Sequence, residues 1–303
     1  MISAQSRELQ TLLAGQIARA LAVFCVDEVV IFDDGDFKPK PTEEGKNGDV
    51  DHDVYTGYTD PNYFLAHILS YLECPPYLRK ALFPRHPDLQ HAGMLPSLDM
   101  PHHLKAGERC EFREGVTKDV KPGAEPTKGT LAETGLEEAV YLDSTVPQNS
   151  RVTVRMESGP RSPGVHEAVA PSVPKEEKGW YWGYNVRMAE SLSSVLTECP
   201  FEGGYDLTFG TSERGKPISE LADGANMPTF RHMMLVFGGV AGLEKAVKAD
   251  VELIKLGLEG PESLFDYWVN LVPNQGSRTV RTEEAIWLGL MATRDVALAN
   301  GQG

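Results

Sequence analysis

The sequence has no apolar run near the ~18–20 residues that a membrane-spanning helix needs. Its start lacks the basic residues and apolar core of a secretion signal, and no N-x-S/T sequon occurs. A membrane span and secretion are therefore not expected. Cysteine is scarce: Cys25, Cys74, Cys110 and Cys199 stand far apart, with no C-x-x-C and no cysteine–histidine spacing suited to zinc. Scattered single thiols suit a reducing compartment, so cytosol or nucleus is expected, and no metal. Positive charge is also in short supply, with 29 Lys and Arg against 44 Asp and Glu and a net charge of −15. Phosphate contacts need clustered cations, so the surface as a whole is unsuited to nucleic acid, although a local basic cleft is compatible with this balance.

What is present is ordinary for a globular chain: 303 residues, 41% hydrophobic and 24% charged. That length allows two domains, or one large domain with an insertion. The acidic stretch from Asp27 to Asp60, with its Pro and Gly, reads as a solvated loop. Its Asp49-x-Asp51-x-Asp53 opens like an EF-hand, but Val54 and Asp60 occupy the positions that need glycine and glutamate.

Leu9, Leu12, Leu13, Ile17, Leu21 and Phe24 follow helical spacing from Ser6 onward, and a strand is expected over Val26–Phe32. Asp60-Pro61 predicts the cap and first turn of a helix through Glu73, which Pro75-Pro76 would stop. From about His91 to Leu196 the texture changes to short strand-like pieces: Cys110–Arg113, Ala139–Leu142, Arg151–Arg155 and Trp180–Arg187. Such spacing without intervening helices predicts a small barrel or sandwich. The α/β pattern then resumes. An α/β domain interrupted by a β module follows, with the chain divided at 1–90, 91–197 and 198–303.

The last third carries the strongest signal. Three short apolar runs, Tyr205–Phe209, Met233–Phe237 and Phe265–Pro273, each lead into a small-residue loop. In an open α/β sheet ligands bind at the carboxyl ends of strands, so these loops predict one shared site. The loop before the last helix is a polar-ligand cradle, with Thr282 as the expected N-cap and Glu283 and Glu284 complementing the helix N-terminus.

Two motifs need weighing. Gly210–Lys216 fits G-x-x-x-x-G-K, but Pro217 replaces the Ser or Thr of a P-loop, and Ile218–Gly224 is too short for the helix that motif requires. An NTPase loop is not expected. Trp180-Tyr181-Trp182-Gly183-Tyr184 offers aromatic faces either to unpaired bases or, as alternating strand residues usually do, to a core.

Taken together, Ala14–Ala20, Val26–Asp33, Tyr71–Pro84, Gly210–Gly215, Val236–Gly239 and Asn274–Ala285 resemble the SPOUT class of RNA methyltransferases, in its archaeal and eukaryotic branch. The resemblance covers essentially the whole chain. It implies a knotted α/β domain with a C-terminal trefoil knot, an inserted OB-like β-barrel, S-adenosylmethionine as cofactor and homodimerisation beside the knot. It also implies methylation of uridine N3 in large-subunit ribosomal RNA, in nucleus, nucleolus or cytoplasm. Carried over by position, Phe237, Gly238, Gly239, Asn274, Gln275, Gly276, Ser277 and Thr279, with Thr282 at the helix start, hold the cofactor. Relatives usually carry a Lys-rich tail and a strand ahead of the first helix, whereas this sequence starts at Met1–Ser6; it is either truncated or without that strand.

The N3–H of uracil is a weak acid whose anion attacks the methyl group, so a cation and a base are wanted. Arg214 and Arg278 are the candidate cations and Glu213 the candidate base, or else a salt-bridge partner. Arg281 holds a phosphate or pairs with Glu283 or Glu284. Ile286, Trp287 and Leu290 are expected at the dimer interface. The competing expectation is a non-catalytic knotted scaffold that binds RNA or a protein partner, with a spindle, kinetochore or ribosome-assembly role.

Overall fold

The computed structural model describes residues 6–35, 55–118, 130–156, 164–221, 227–239, 241–258 and 260–301. The EF-hand-like aspartates lie outside them. Helix α1 spans Arg7–Val23, opened by the Ser6 hydroxyl, which accepts the Leu9 N–H at 3.2 Å. Its buried Ala14, Ile17, Ala18 and Leu21 recur at helical spacing and face the core. Strand β1, Glu28–Phe32, follows. Helix α2, Pro61–Glu73, begins where Asp60 accepts the amides of Asn62 and Tyr63, both at 3.0 Å, with Pro61 in the first turn, where no amide is required. After Pro75 and Pro76 only a short α3, Arg79–Leu82, forms.

The β module is a closed five-strand barrel in the order β2-β3-β4-β6-β5. Its strands are β2, Phe112–Lys118, β3, Leu131–Glu133, β4, Val140–Leu142, β5, Arg151–Arg155, and β6, Val165–Val169. Ala132, Leu142 and Val154 are fully buried inside it. After α4, Val173–Lys178, the chain leaves the barrel sooner than the sequence pattern suggests. Strand β7, Asn185–Ala189, pairs in parallel with β1 along its length. The Tyr181 hydroxyl donates to the Val26 carbonyl at 2.9 Å and that of Tyr184 to the Leu69 carbonyl at 3.0 Å, so the aromatic stretch pins the returning chain to the α/β part. Helix α5, Leu192–Thr197, then packs on β1 and β7.

The last part comprises β8, Leu207–Pro217, β9, Met233–Val236, α6, Leu243–Ala249, α7, Val251–Lys255, β10, Tyr267–Asn270, and α8, Thr282–Asn300. The three strands form a parallel sheet in the order β10-β8-β9. Strand β8 does not end at Phe209 as expected. Gly210 lies opposite Trp268 and Lys216 opposite the next residue, Val269, so residues 211–215 leave the ladder and return to it. A Cβ on Gly210 would strike the Phe265 and Trp268 rings, and one on Gly215 the Val269 backbone. The two glycines of the P-loop-like spacing therefore mark the ends of a bulge, and only a single 3-10 turn, Ile218–Glu220, follows.

Thr282 also differs from its expected role. It is the first helical residue of α8, after Arg281, whose amide is capped by Glu284 Oε2 at 2.9 Å. Helix α8 packs beside α1: Trp287 meets Phe24 edge to face at 5.7 Å, and Ile286 packs on the α1–α2 core. No helix among the described residues is long and apolar enough to cross a membrane.

Candidate active site

The bulge of β8, the β9–α6 loop and the loop between β10 and α8 meet around a cleft of about 950 Å³, within the range usual for small-ligand sites. The Thr282 hydroxyl donates to the Gly238 carbonyl at 3.4 Å, joining the start of α8 to the β9 loop. The Asn270 amide donates to the Glu213 carbonyl at 2.8 Å, joining the end of β10 to the bulge. Glu213, Arg214 and Arg278 all line the cleft, as do Phe237, Gly238 and Gly239. Gln275, Thr279 and Thr282 line it from the third loop. Asn274, Gly276 and Ser277 share that loop without forming the wall. Asn274 adopts φ +58°, a left-handed turn conformation that asparagine tolerates, and the Gln275 side-chain amide donates to the Ser277 carbonyl at 3.0 Å.

The cleft is locally basic in an acidic chain: five cations, Arg214, Lys245, Lys248, Arg278 and Arg281, face three carboxylates, Glu213, Glu244 and Glu283. Arg214 reaches Glu244 at 3.6 Å but keeps 74% of its side chain exposed, so it stays available to a ligand. Ser212 donates to the same Glu244 at 3.3 Å. The Glu213 carboxylate has no ion pair among the described residues, and the salt bridge considered for it does not form. Arg281 likewise forms no ion pair with Glu283 or Glu284; Glu284 takes its backbone amide instead. Glu244, Lys245 and Lys248 were not singled out from the sequence. Their only signal is position, on the helix directly after the Gly238-Gly239 loop.

A site suited to S-adenosylmethionine needs room and polar groups near strand ends, and the cleft supplies both through Gln275, Thr279 and Thr282. Gly238 does not face open space: a Cβ there would lie 2.7 Å from the backbone of Gly242 and Leu243, so this glycine lets the β9 loop close on the start of α6. Outside the cleft, the choice between base and core is decided for Trp182, which is 8% exposed and donates its indole N–H to Glu114 at 2.7 Å. His67, His86 and Asp88 bring possible metal-ligand atoms within 4.8 Å of one another. There, however, the Asp88 oxygens already accept the Thr56 amide at 2.9 Å and its hydroxyl at 2.6 Å, and His67 at 3.0 Å. The Asp88 amide donates to His86 Nδ1 at 3.1 Å, so the group fixes the turn before α2.

Glycine-bearing loops at the carboxyl ends of parallel strands, around a basic cleft and beside an inserted barrel, suit an α/β enzyme whose ligands bind at that cleft. The chain belongs to the family described as "Putative RNA methyltransferase", whose model matches residues 1–293. It is 47% identical over 296 residues to the 28S rRNA (uridine-N(3))-methyltransferase of Homo sapiens, covering 96% of this chain and 74% of that protein. The protein of the same name from Drosophila melanogaster is 43% identical over 298 residues, 97% of this chain and 59% of the relative. An uncharacterized protein of Haloarcula marismortui is 27% identical over 298 residues, 95% of this chain and 92% of its own length.

Proposed function

We propose that this protein transfers a methyl group to N3 of a uridine in large-subunit ribosomal RNA. The observation that carries the assignment is the 47% identity to a protein named for that reaction, over a stretch that includes every loop of the cleft. S-adenosylmethionine is the proposed donor, held by the Phe237–Gly239 loop and by Gln275, Thr279 and Thr282; when bound, its sulfonium supplies an electrophilic methyl group. Arg214 and Arg278 stabilise the uracil anion, and Glu213, on the same bulge, takes the N3 proton. Lys245 and Lys248, on the cleft wall, hold RNA phosphate. The segment from β8 to α8 forms the trefoil knot, and the barrel is of OB type. The family resemblance carries that reading, and the parallel order β10-β8-β9 is compatible with it. With ribosomal RNA as substrate, the protein works in nucleolus, nucleus or cytoplasm.

The test is incubation with labelled S-adenosylmethionine and large-subunit rRNA fragments, followed by nucleoside mass spectrometry. N3-methyluridine is expected. Binding of RNA without methyl transfer at any base would favour the scaffold alternative. For the cofactor loops, calorimetry with S-adenosylhomocysteine separates wall from rim. Thr279→Trp, on the exposed wall, should weaken binding at least about tenfold by filling the cleft, while Gly276→Arg, whose Cβ meets nothing within 4 Å, should leave affinity within about threefold. The reverse order would place the cofactor on the outer side of the loop. Gly238→Arg is a poor probe, because its backbone packing would fail first.

The proposed homodimer draws on residues other than Ile286 and Trp287. Ile286 and Trp287 are engaged inside the fold, whereas Leu288 and Met291 of α8 are 42% and 63% exposed, and Leu9 and Leu12 of α1 are 41% and 40% exposed. These side chains, on two helices packed together next to the cleft, would cover one another across a twofold axis. Light scattering at micromolar concentration should give a dimer mass, and Met291→Glu should give a monomer. A monomeric unaltered protein would remove this assignment.

A further inference from the structure

Glu283 stands apart from the other carboxylates of the cleft. Glu213 is exposed, and Glu244 is engaged by Ser212 and Arg214. Glu283 is only 3% exposed, yet it lines the cleft. Among the described residues no hydrogen bond or ion pair holds its carboxylate. It is buried because α8 turns that side inward: Ile286 and Trp287, three and four residues on, pack against the α1–α2 core and Phe24. A carboxylate left with only a sliver of contact with the water of the cleft, and with no donor among the described residues, is poorly solvated, and the field at the start of α8 offsets only part of that cost. A ligand group bringing N–H donors and positive charge would remove the rest.

We propose that Glu283 binds the α-ammonium group in the methionine part of S-adenosylmethionine. This rests on the cofactor assignment above. Two observations favour the methyl donor over the RNA as the source of that group. A carboxylate repels phosphate and the uracil anion, and it suits an ammonium. Glu283 also follows Thr282, which is tied to the Gly238 carbonyl at 3.4 Å, and the same helix carries Gly289 against the Phe237 ring. Glu283 thus sits with the loop assigned to the cofactor rather than with the bulge assigned to uracil.

Calorimetry of the unaltered protein and of Glu283→Gln, each with S-adenosylhomocysteine and with 5′-methylthioadenosine, tests this. The second ligand keeps the nucleoside and the thioether but lacks the amino-acid end. The variant should bind S-adenosylhomocysteine about 30-fold more weakly and 5′-methylthioadenosine within about twofold of the unaltered protein. Its melting temperature without ligand should not fall, because the amide replaces an unpaired charge at the same volume. Equal loss for both ligands, no loss for either, or a melting temperature lower by more than about 3 °C would overturn the proposal. So would unchanged S-adenosylhomocysteine binding with collapsed methyl transfer, since the carboxylate would then serve the uracil. If the unaltered protein does not bind S-adenosylhomocysteine, the cofactor assignment itself falls and takes this inference with it. If it does and only the Glu283 effect is missing, the cofactor assignment stands.

Discussion

Arg214→Ala is expected to lower single-turnover methyl transfer by about 100-fold or more while S-adenosylhomocysteine affinity stays within about threefold. Arg214 sits on the bulge between Gly210 and Gly215, a different loop from those proposed to hold the cofactor, so its loss should leave the cofactor loops in place. Its ion pair to Glu244, at 3.6 Å with 74% of the Arg214 side chain exposed, contributes little to the fold. The side chain is therefore free to turn onto a uracil whose N3 has lost its proton. Without that cation the N3–H in the site becomes less acidic, and each unit of the change costs about 1.4 kcal/mol, or tenfold in rate. Arg214→Lys should recover part of the activity, because an ammonium keeps the charge but not the planar fork that spans a carbonyl and the adjacent ring nitrogen. Methyl transfer near normal in Arg214→Ala would pass the role to Arg278, the other candidate cation on the wall.

Local signals made some of this architecture legible. The limits of α2 follow from Asp60-Pro61 and Pro75-Pro76, because a cap and a missing amide act within one turn. The strands of the last sheet were readable as short apolar runs, and their loops converge as the carboxyl-end rule for α/β sheets requires. Features that depend on partners distant in sequence were not readable. Whether Gly210–Gly215 is a loop or a bulged strand depends on where Trp268 and Val269 pair, more than fifty positions away. Whether β7 belongs to the barrel depends on β1, which precedes it by some 150 residues. The same holds within the site. Glu283 reads in sequence as a simple complement to a helix N-terminus, and only the packing of Ile286 and Trp287 shows that it is buried. Glu244, Lys245 and Lys248 have no motif of their own and join the site because α6 follows the glycine loop.

The largest expected effect on stability lies where the barrel meets the α/β part. Arg151 of β5 donates to both oxygens of Glu73, at the end of α2, at 2.5 and 3.0 Å, and through Nε to Glu114 of β2 at 2.6 Å. Glu114 also accepts Thr153 at 2.6 Å and Trp182 at 2.7 Å, and His102 Nε2 lies 3.0 Å from Glu73 Oε1. The two carboxylates are 7% and 3% exposed, so Arg151→Ala removes the guanidinium they share, leaves Glu114 only the Thr153 and Trp182 donors and Glu73 only His102, and should cost about 3 kcal/mol. Acid should expose the same network. Burial alone would raise the Glu73 carboxyl, but the hydrogen bonds from His102 and Arg151 and the Arg151 charge outweigh it and hold it at about 2, against an ordinary 4.5. Stability from Glu73 is therefore fully present above pH 4.5 and is lost as pH falls towards 2. His103 is held down at about 4 from 6.5, first by burial and then by the His102 charge, so the unfolded chain takes up its proton first and stability starts to fall below pH 6.5. In Arg151→Ala the Glu73 carboxyl titrates closer to its ordinary range, and that part of the acid loss shrinks. Urea unfolding at pH 7 and pH 3.5 should show the gap between the two proteins narrowing by on the order of 1 kcal/mol at the lower pH. An equal gap at both pH values, or a cost at pH 7 below about 1 kcal/mol, would mean that the Arg151 pairs are not what fastens the barrel to the rest of the chain.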